Sequence, residues 1–181
     1  MMYSAIASKY AMALYNVSKV NNKTEEYKDR LKVLAQIYDY MSIFLNNQAI
    51  KPEKRAQVVC QLMNELGFPA DQPFSRFVYL LISNKRLKYI KQILAFFDFT
   101  VLEDKGLIPV DITAAMDLST EEEKLLSEFV KKHSGREPVF SITVDENLIA
   151  GVVMEFAGKR FDASIKGRLE NLARNVLRRE G

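Results

Sequence analysis

His133, Cys60 and the run Glu121–Glu122–Glu123 hold the residue types from which a catalytic or metal site could be built. His133 is the single histidine, and it stands beside Lys131 and Lys132 near a helix C-terminus, where a cation opposes the helix dipole. No second imidazole follows to complete a base or a ligand set. Cys60, the one cysteine, sits between Val59 and Leu62 on an apolar helix face, the setting of an inert packing thiol. One cysteine permits neither a disulfide framework nor a cysteine metal site, which fits a reducing compartment. The three glutamates could be a paired-carboxylate acid or a metal site, yet an acidic first helical turn is ordinarily a solvated N-terminus stabilised by the dipole. Gly151, Gly158 and Gly167 are too dispersed for a phosphate loop, and no Gly-Lys-Ser/Thr follows a strand. No catalytic residue, cofactor or metal is expected.

Basic residues cluster toward the end as Lys166, Arg168, Arg174, Arg178 and Arg179. Glu170 and Glu180 break that run and no aromatic interleaves with it, unlike a single-strand binding platform. The formal charge is +3, spread over interleaved acids and bases, so a dedicated nucleic-acid face is not expected, although a basic adaptor for nucleic acid is the alternative reading. The longest fully apolar run, Phe77 to Ile82, is far short of the roughly 20 residues of a spanning helix. No signal or transit pattern opens the chain, so membrane association is expected only through partners.

Two periods organise the elements that carry these residues. From Ser4 to about Asp104 the spacing is helical. Tyr27, Leu31, Leu34, Tyr38, Met41 and Phe44 or Leu45 make one stripe. Val58, Val59, Leu62 and Leu66 make another, opened by Pro52, and Leu87, Ile90, Ile93, Leu94, Phe97, Val101 and Leu102 make a last one. After Gly106 the period is two, through Ile108–Ile112, Phe140–Val144 and Val152–Phe156. Between the first two strands lies a helix with a capping box, Ser119 with Glu122, and an apolar face of Leu125, Leu126, Phe129 and Val130. A hairpin is expected at Gly158 and Lys159, then a final helix with Leu169, Leu172, Ala173, Val176 and Leu177 on one face. The expected architecture is multi-domain α and α+β: a bundle of about six helices over 1–105, then a small α+β domain with a short mixed sheet over 106–181.

Apolar residues cover an unusually wide arc of the first helix. Ile6, Tyr10, Ala13, Leu14 and Val17 fall on one side, and Ala7, Ala11 and Tyr15 widen the arc to roughly 200°, about twice what one core needs. Either the helix is central to its own bundle, or the arc also serves a groove for an amphipathic helix of another protein.

These stretches together resemble the delta-subunit family of bacterial F-type ATP synthases, counterparts of the mitochondrial oligomycin-sensitivity-conferring protein. "SKYAMALYNV" resembles the family's opening Tyr-Ala-x-Ala-Leu helix, and "LLISNKRLKYIKQILAFF" its Asn-x-Arg-Leu helix pair. "VDITAAMDLSTEEEKLL" resembles its strand and capped helix. The C-terminal signature stands here as Asp145, Leu148, Ile149, Gly151, Gly158, Asp162, Ser164, Arg168 and Leu169, with Ala150 and Ala163 where the family has glycine. From the residues alone, Gly151 is a bulge or close approach and Ser164 an N-cap.

The resemblance implies a non-catalytic stator role on the cytoplasmic face of a bacterial membrane. The N-terminal domain would bind α-subunit N-termini on the catalytic head, and the C-terminal domain the b subunits of the peripheral stalk. No nucleotide or nucleic acid would bind directly. Ile6, Ala7, Tyr10, Ala11, Ala13, Leu14, Phe77, Leu80, Leu81 and Asn84 are the residues expected to line or support the α-subunit groove.

Overall fold

Ser4 opens the first helix, α1 (Ala5–Val20), by accepting a hydrogen bond from the Ile6 amide. In the computed structural model, which describes residues 4–165 and 167, α1 buries Ala7, Ala11, Leu14, Tyr15 and Ser18. The alanine side of the wide arc therefore faces the protein's own core, because a methyl lets neighbouring helices close in. Helix α2 (Thr24–Asn46) buries Tyr27, Leu31 and Leu34, but Met41 departs from helical geometry at φ −118°, ψ 20°. Leu45 continues the stripe past that residue and is buried, while Phe44 is only partly covered.

Helix α3 (Pro52–Glu65) buries Ala56, Val59 and Met63. This corrects the expected stripe at its far end: Leu66 is the C-cap residue and is 58% exposed. Cys60 is half-buried rather than enclosed. Helix α4 (Gln72–Ser83) leads through a 3₁₀ turn (Leu87–Tyr89) into α5 (Ile90–Asp104). The helical bundle is thus five α-helices and one 3₁₀ turn around a single apolar core.

A polar knot that no periodicity announces ties the bundle together. Asp71 caps α4 by accepting from the Phe74 amide at 3.1 Å. Its carboxylate also takes the Tyr27 hydroxyl at 3.0 Å and the Arg30 guanidinium at 3.0 Å, both from α2. Tyr27 is fully buried and packs edge-on against Phe74, so the knot sits at the junction of α2 and α4.

The chain divides into two compact units, the first ending at Val101 and the second starting at Leu102. The second unit contains β1 (Leu107–Ala114), α6 (Thr120–Ser134), β2 (Glu137–Val144), a 3₁₀ turn (Glu146–Leu148), β3 (Val152–Phe156) and β4 (Lys159–Asp162). The sheet order is β2-β1-β3-β4, with β1 and β2 parallel and the other pairs antiparallel, a mixed sheet. A parallel pair needs a crossover, and α6 supplies it. The Ser119–Glu122 capping box forms in both directions, the Ser119 amide donating at 2.8 Å and the Glu122 amide at 3.3 Å. The bonds donated by the Ser119 amide and hydroxyl hold the Glu122 carboxyl below its ordinary range. His133 sets Nδ1 against the Phe129 carbonyl at 2.8 Å and its ring against the Phe129 ring, a packing role at the end of α6.

Three details differ from expectation. Leu125 is 65% exposed, so the inner face of α6 is Leu126, Phe129 and Val130. Ile142 and Val144 are 40% and 46% exposed, on a strand that pairs only with β1 among the described residues. The hairpin turns at Ala157 and Gly158, with φ of 50° and 72°, and Lys159 already belongs to β4. A two-residue hairpin turn with φ positive at both positions matches strand twist, which moves the turn back by one residue. The expected final helix, including Leu169, Leu172, Ala173, Val176 and Leu177, lies outside the described residues, as does the basic run apart from its backdrop at Ile165 and Gly167.

Candidate docking site

The C-terminal signature builds a corner of the second unit. Asp145 accepts from the Asn147 amide at 3.0 Å and caps the 3₁₀ turn that buries Leu148. Ile149 follows with φ 65° and projects outward, 67% exposed. Gly151 then lies at φ 93°, where an added Cβ would meet the Ala163 carbonyl oxygen at 2.5 Å and the Ser164 Cα at 2.8 Å. Asp162 accepts from the Ser164 hydroxyl at 2.6 Å and from its amide at 3.0 Å, and these bonds hold its carboxyl below the ordinary range. Ser164 in turn accepts from the Gly167 amide at 3.0 Å, an N-cap bond.

The two halves of the signature therefore meet each other, with Ile165 donating to the Ala150 carbonyl at 2.9 Å. Ala150 and Ala163 both keep negative φ, so alanine costs nothing in backbone freedom there. Arg168 and Leu169 lie outside the described residues. Replacing Gly151 with alanine is expected to destabilise the second unit by about 2–4 kcal/mol, since both the positive φ and the overpacking against backbone oppose it. Urea unfolding should show that loss, and Ala150→Gly should change stability far less.

On the helical unit, the ten residues expected at the groove fall into three groups. Ala7, Ala11, Leu14, Phe77 and Leu81 are core residues at 0–7% exposure, so they support a surface but do not line one. Tyr10 and Asn84 hold each other: the Tyr10 hydroxyl accepts from Asn84 at 3.2 Å and from Arg86 at 3.0 Å, and its ring meets Phe77 edge-on. That explains the Asn-x-Arg pattern as a clamp between α1 and the end of α4. Ile6 is half-buried, and Ala13 and Leu80 are exposed.

A shallow concave surface lies on the other flank of α1. Ser8, Lys9, Met12, Ala13 and Asn16 line it from α1, and Phe96 lines it from α5. Met12 is 44% exposed there, and Phe96 is half-buried, which leaves an apolar floor with a polar rim. Tyr15 against Phe97, ring centroids 5.8 Å apart, sets the spacing between the two helices. Of the ten expected residues, Ala13 alone lines this groove. The α5 contribution was not anticipated, because Phe96 lies just off the inward stripe and a stripe argument ranks only inward residues. This surface has the form that accepts an amphipathic helix laid between two helices.

Residues 6–176 match the family model described as ATP synthase delta (OSCP) subunit. The chain is 64% identical to the ATP synthase subunit delta of Fervidobacterium nodosum, covering 100% of both chains. It is 41% identical to that of Pseudothermotoga lettingae, with 99% of each covered, and 36% identical to that of Thermotoga maritima, with 99% of this chain and 98% of the other covered. A chain of the Toxoplasma gondii mitochondrial ATP synthase hexamer superposes with a TM-score of 0.67 over 96% of this chain and 98% of its own, at 20% identity, a likeness of fold.

Proposed function

The chain belongs to the ATP synthase delta (OSCP) subunit family, and from that premise we infer that it ties the catalytic head of an F-type ATP synthase to the peripheral stalk. Members of this family are peripheral, stator-associated subunits of the complex, and no helix among the described residues is long and apolar enough to cross a membrane. The observation that carries the finer reading is the open apolar groove between α1 and α5. An N-terminal helix of the α subunit laid there would cover Met12, Ala13 and Phe96. The b subunits would dock on the second unit, where the outer edge of β2 is unpaired among the described residues and Val139, Ile142 and Val144 are exposed.

Ion flow turns a rotor within the head, and the head turns with it unless it is held. One chain that grips head and stalk through separate units keeps each contact at high local concentration when the other is made. The work is mechanical and draws on no titrating residue of this chain. The complex would sit at the cytoplasmic face of a bacterial membrane and hold this subunit there through its partners. A nucleic-acid role gains no support from the described residues.

Membranes stripped of this subunit and then given back the full chain test the reading. ATP-driven ion pumping should return with wild-type chain while ATP hydrolysis by the head persists without it. Full pumping in stripped membranes would overturn the stator role.

A further inference from the structure

Arg55 is 6% exposed, yet no described carboxylate pairs with it. The other arginine buried among the described residues, Arg30, has Asp71 at 3.0 Å and Glu26 at 3.4 Å. Arg55 donates Nη1 to the Leu45 carbonyl at the end of α2, and its Nε–H is buried with no acceptor at all. A charged donor left unmade in an interior is costly, and buried polar groups almost always have partners.

Arg55 lines a cavity of about 220 Å³ together with Lys85 and Lys88, and no acidic side chain lines it. Lys85 occupies backbone space that lysine disfavours, with φ 57°. Two bonds hold it there: its own amide donates to the Ile82 carbonyl at 3.1 Å and the Arg86 amide to the Leu81 carbonyl at 2.7 Å. From that position its Nζ donates to Gln48 at 3.0 Å, bridging to the segment between α2 and α3. Three cations thus share one cavity that no acidic side chain lines.

We propose that this cavity binds a small phosphoryl oxyanion, either free phosphate or the phosphate of a small monoester. Arg55 is the buried anchor, whose planar fork suits two oxygens at once, and the two lysines add point charges. A dianion matches this charge better than a single carboxylate does. The site is independent of the α1–α5 groove and would act through the α2–α3 and α4–α5 connections that form it.

Titration of the full chain with inorganic phosphate at constant ionic strength tests this, read by the NMR signal of the Arg55 Nε–H. A saturating shift is expected, weakened at least about tenfold in the double variant Lys85→Asn, Lys88→Gln, as loss of two charge-assisted contacts implies. Both lysines are exposed and asparagine accepts positive φ, so that variant keeps the fold even if Arg55→Lys does not. A parallel titration with glycerol phosphate separates the sources: tighter binding than phosphate identifies a monoester, equal or weaker binding the free ion. A shift that never saturates, or one of wild-type affinity in the lysine variant, overturns the proposal.

Discussion

An Asp71→Ala chain is expected to lose about 3–5 kcal/mol of stability in its helical unit, the cost of leaving a buried charge without its counter-ion. The Arg30 side chain is only 8% exposed, and its remaining partner Glu26 is 57% exposed and more distant. The same substitution strips the acceptor from the buried Tyr27 hydroxyl and the cap from α4. Urea unfolding followed by circular dichroism would read the loss, and Asp71→Asn, which keeps a cap and an acceptor, should cost less. A loss below about 1 kcal/mol would show the knot to be an ordinary surface pair.

The knot also sets how stability responds to pH. Burial pushes the Asp71 carboxyl up, but bonds from the Phe74 amide, the Tyr27 hydroxyl and Arg30 outweigh it, and the group stays below its ordinary range. Its contribution is therefore complete above the unfolded carboxyl value and is lost as acid carries the pH down through the folded one. Tyr27 runs the other way: burial first, then the bond to Asp71, push it from 10.0 up to about 12. Its contribution is complete below pH 10 and is lost as the pH rises from there toward 12. Wild type should weaken at both extremes, and Tyr27→Phe should flatten the alkaline limb.

Two alanines two residues apart on α1 should behave in opposite ways when changed to glutamate. Ala11 is fully buried, so Ala11→Glu places an unpaired carboxylate in the core and is expected to cost on the order of 3–5 kcal/mol. Ala13 lines the open groove, so Ala13→Glu should change folding stability by no more than about 0.5 kcal/mol. Its effect belongs to binding: a charge in the centre of a helix-accepting groove should remove about 2 kcal/mol or more of affinity, roughly 30-fold. Thermal unfolding of the two variants checks the first half of this pair.

Much of the fold is written in local pattern. The capping box at Ser119, the change of period after Gly106 and the Gly151 close approach follow from residue type and spacing, and each is found where those place it. Phase is where pattern falls short. Phe44 and Leu45 both fit the stripe of α2 and only Leu45 is fully buried, and α6 turns Leu125 outward although its neighbour Leu126 packs inward. Both are settled by tertiary packing, which a stripe does not contain. The Asp71 knot was illegible because Tyr27, Arg30 and Asp71 are brought together by folding across 44 residues of sequence. The groove was half legible: the width of the apolar arc on α1 marked a second surface, but which flank is concave depends on where α5 lies.

Calorimetric titration of the full chain with a peptide of the partner α subunit's N-terminal segment tests the docking role most directly. Wild type, Ala13→Glu and Leu80→Glu would be compared at low and high salt. The α1–α5 groove predicts saturable, salt-tolerant binding that Ala13→Glu weakens at least about 30-fold and that Leu80→Glu, on the other flank, leaves intact. No binding by the folded chain, or binding lost in Leu80→Glu and kept in Ala13→Glu, would contradict it.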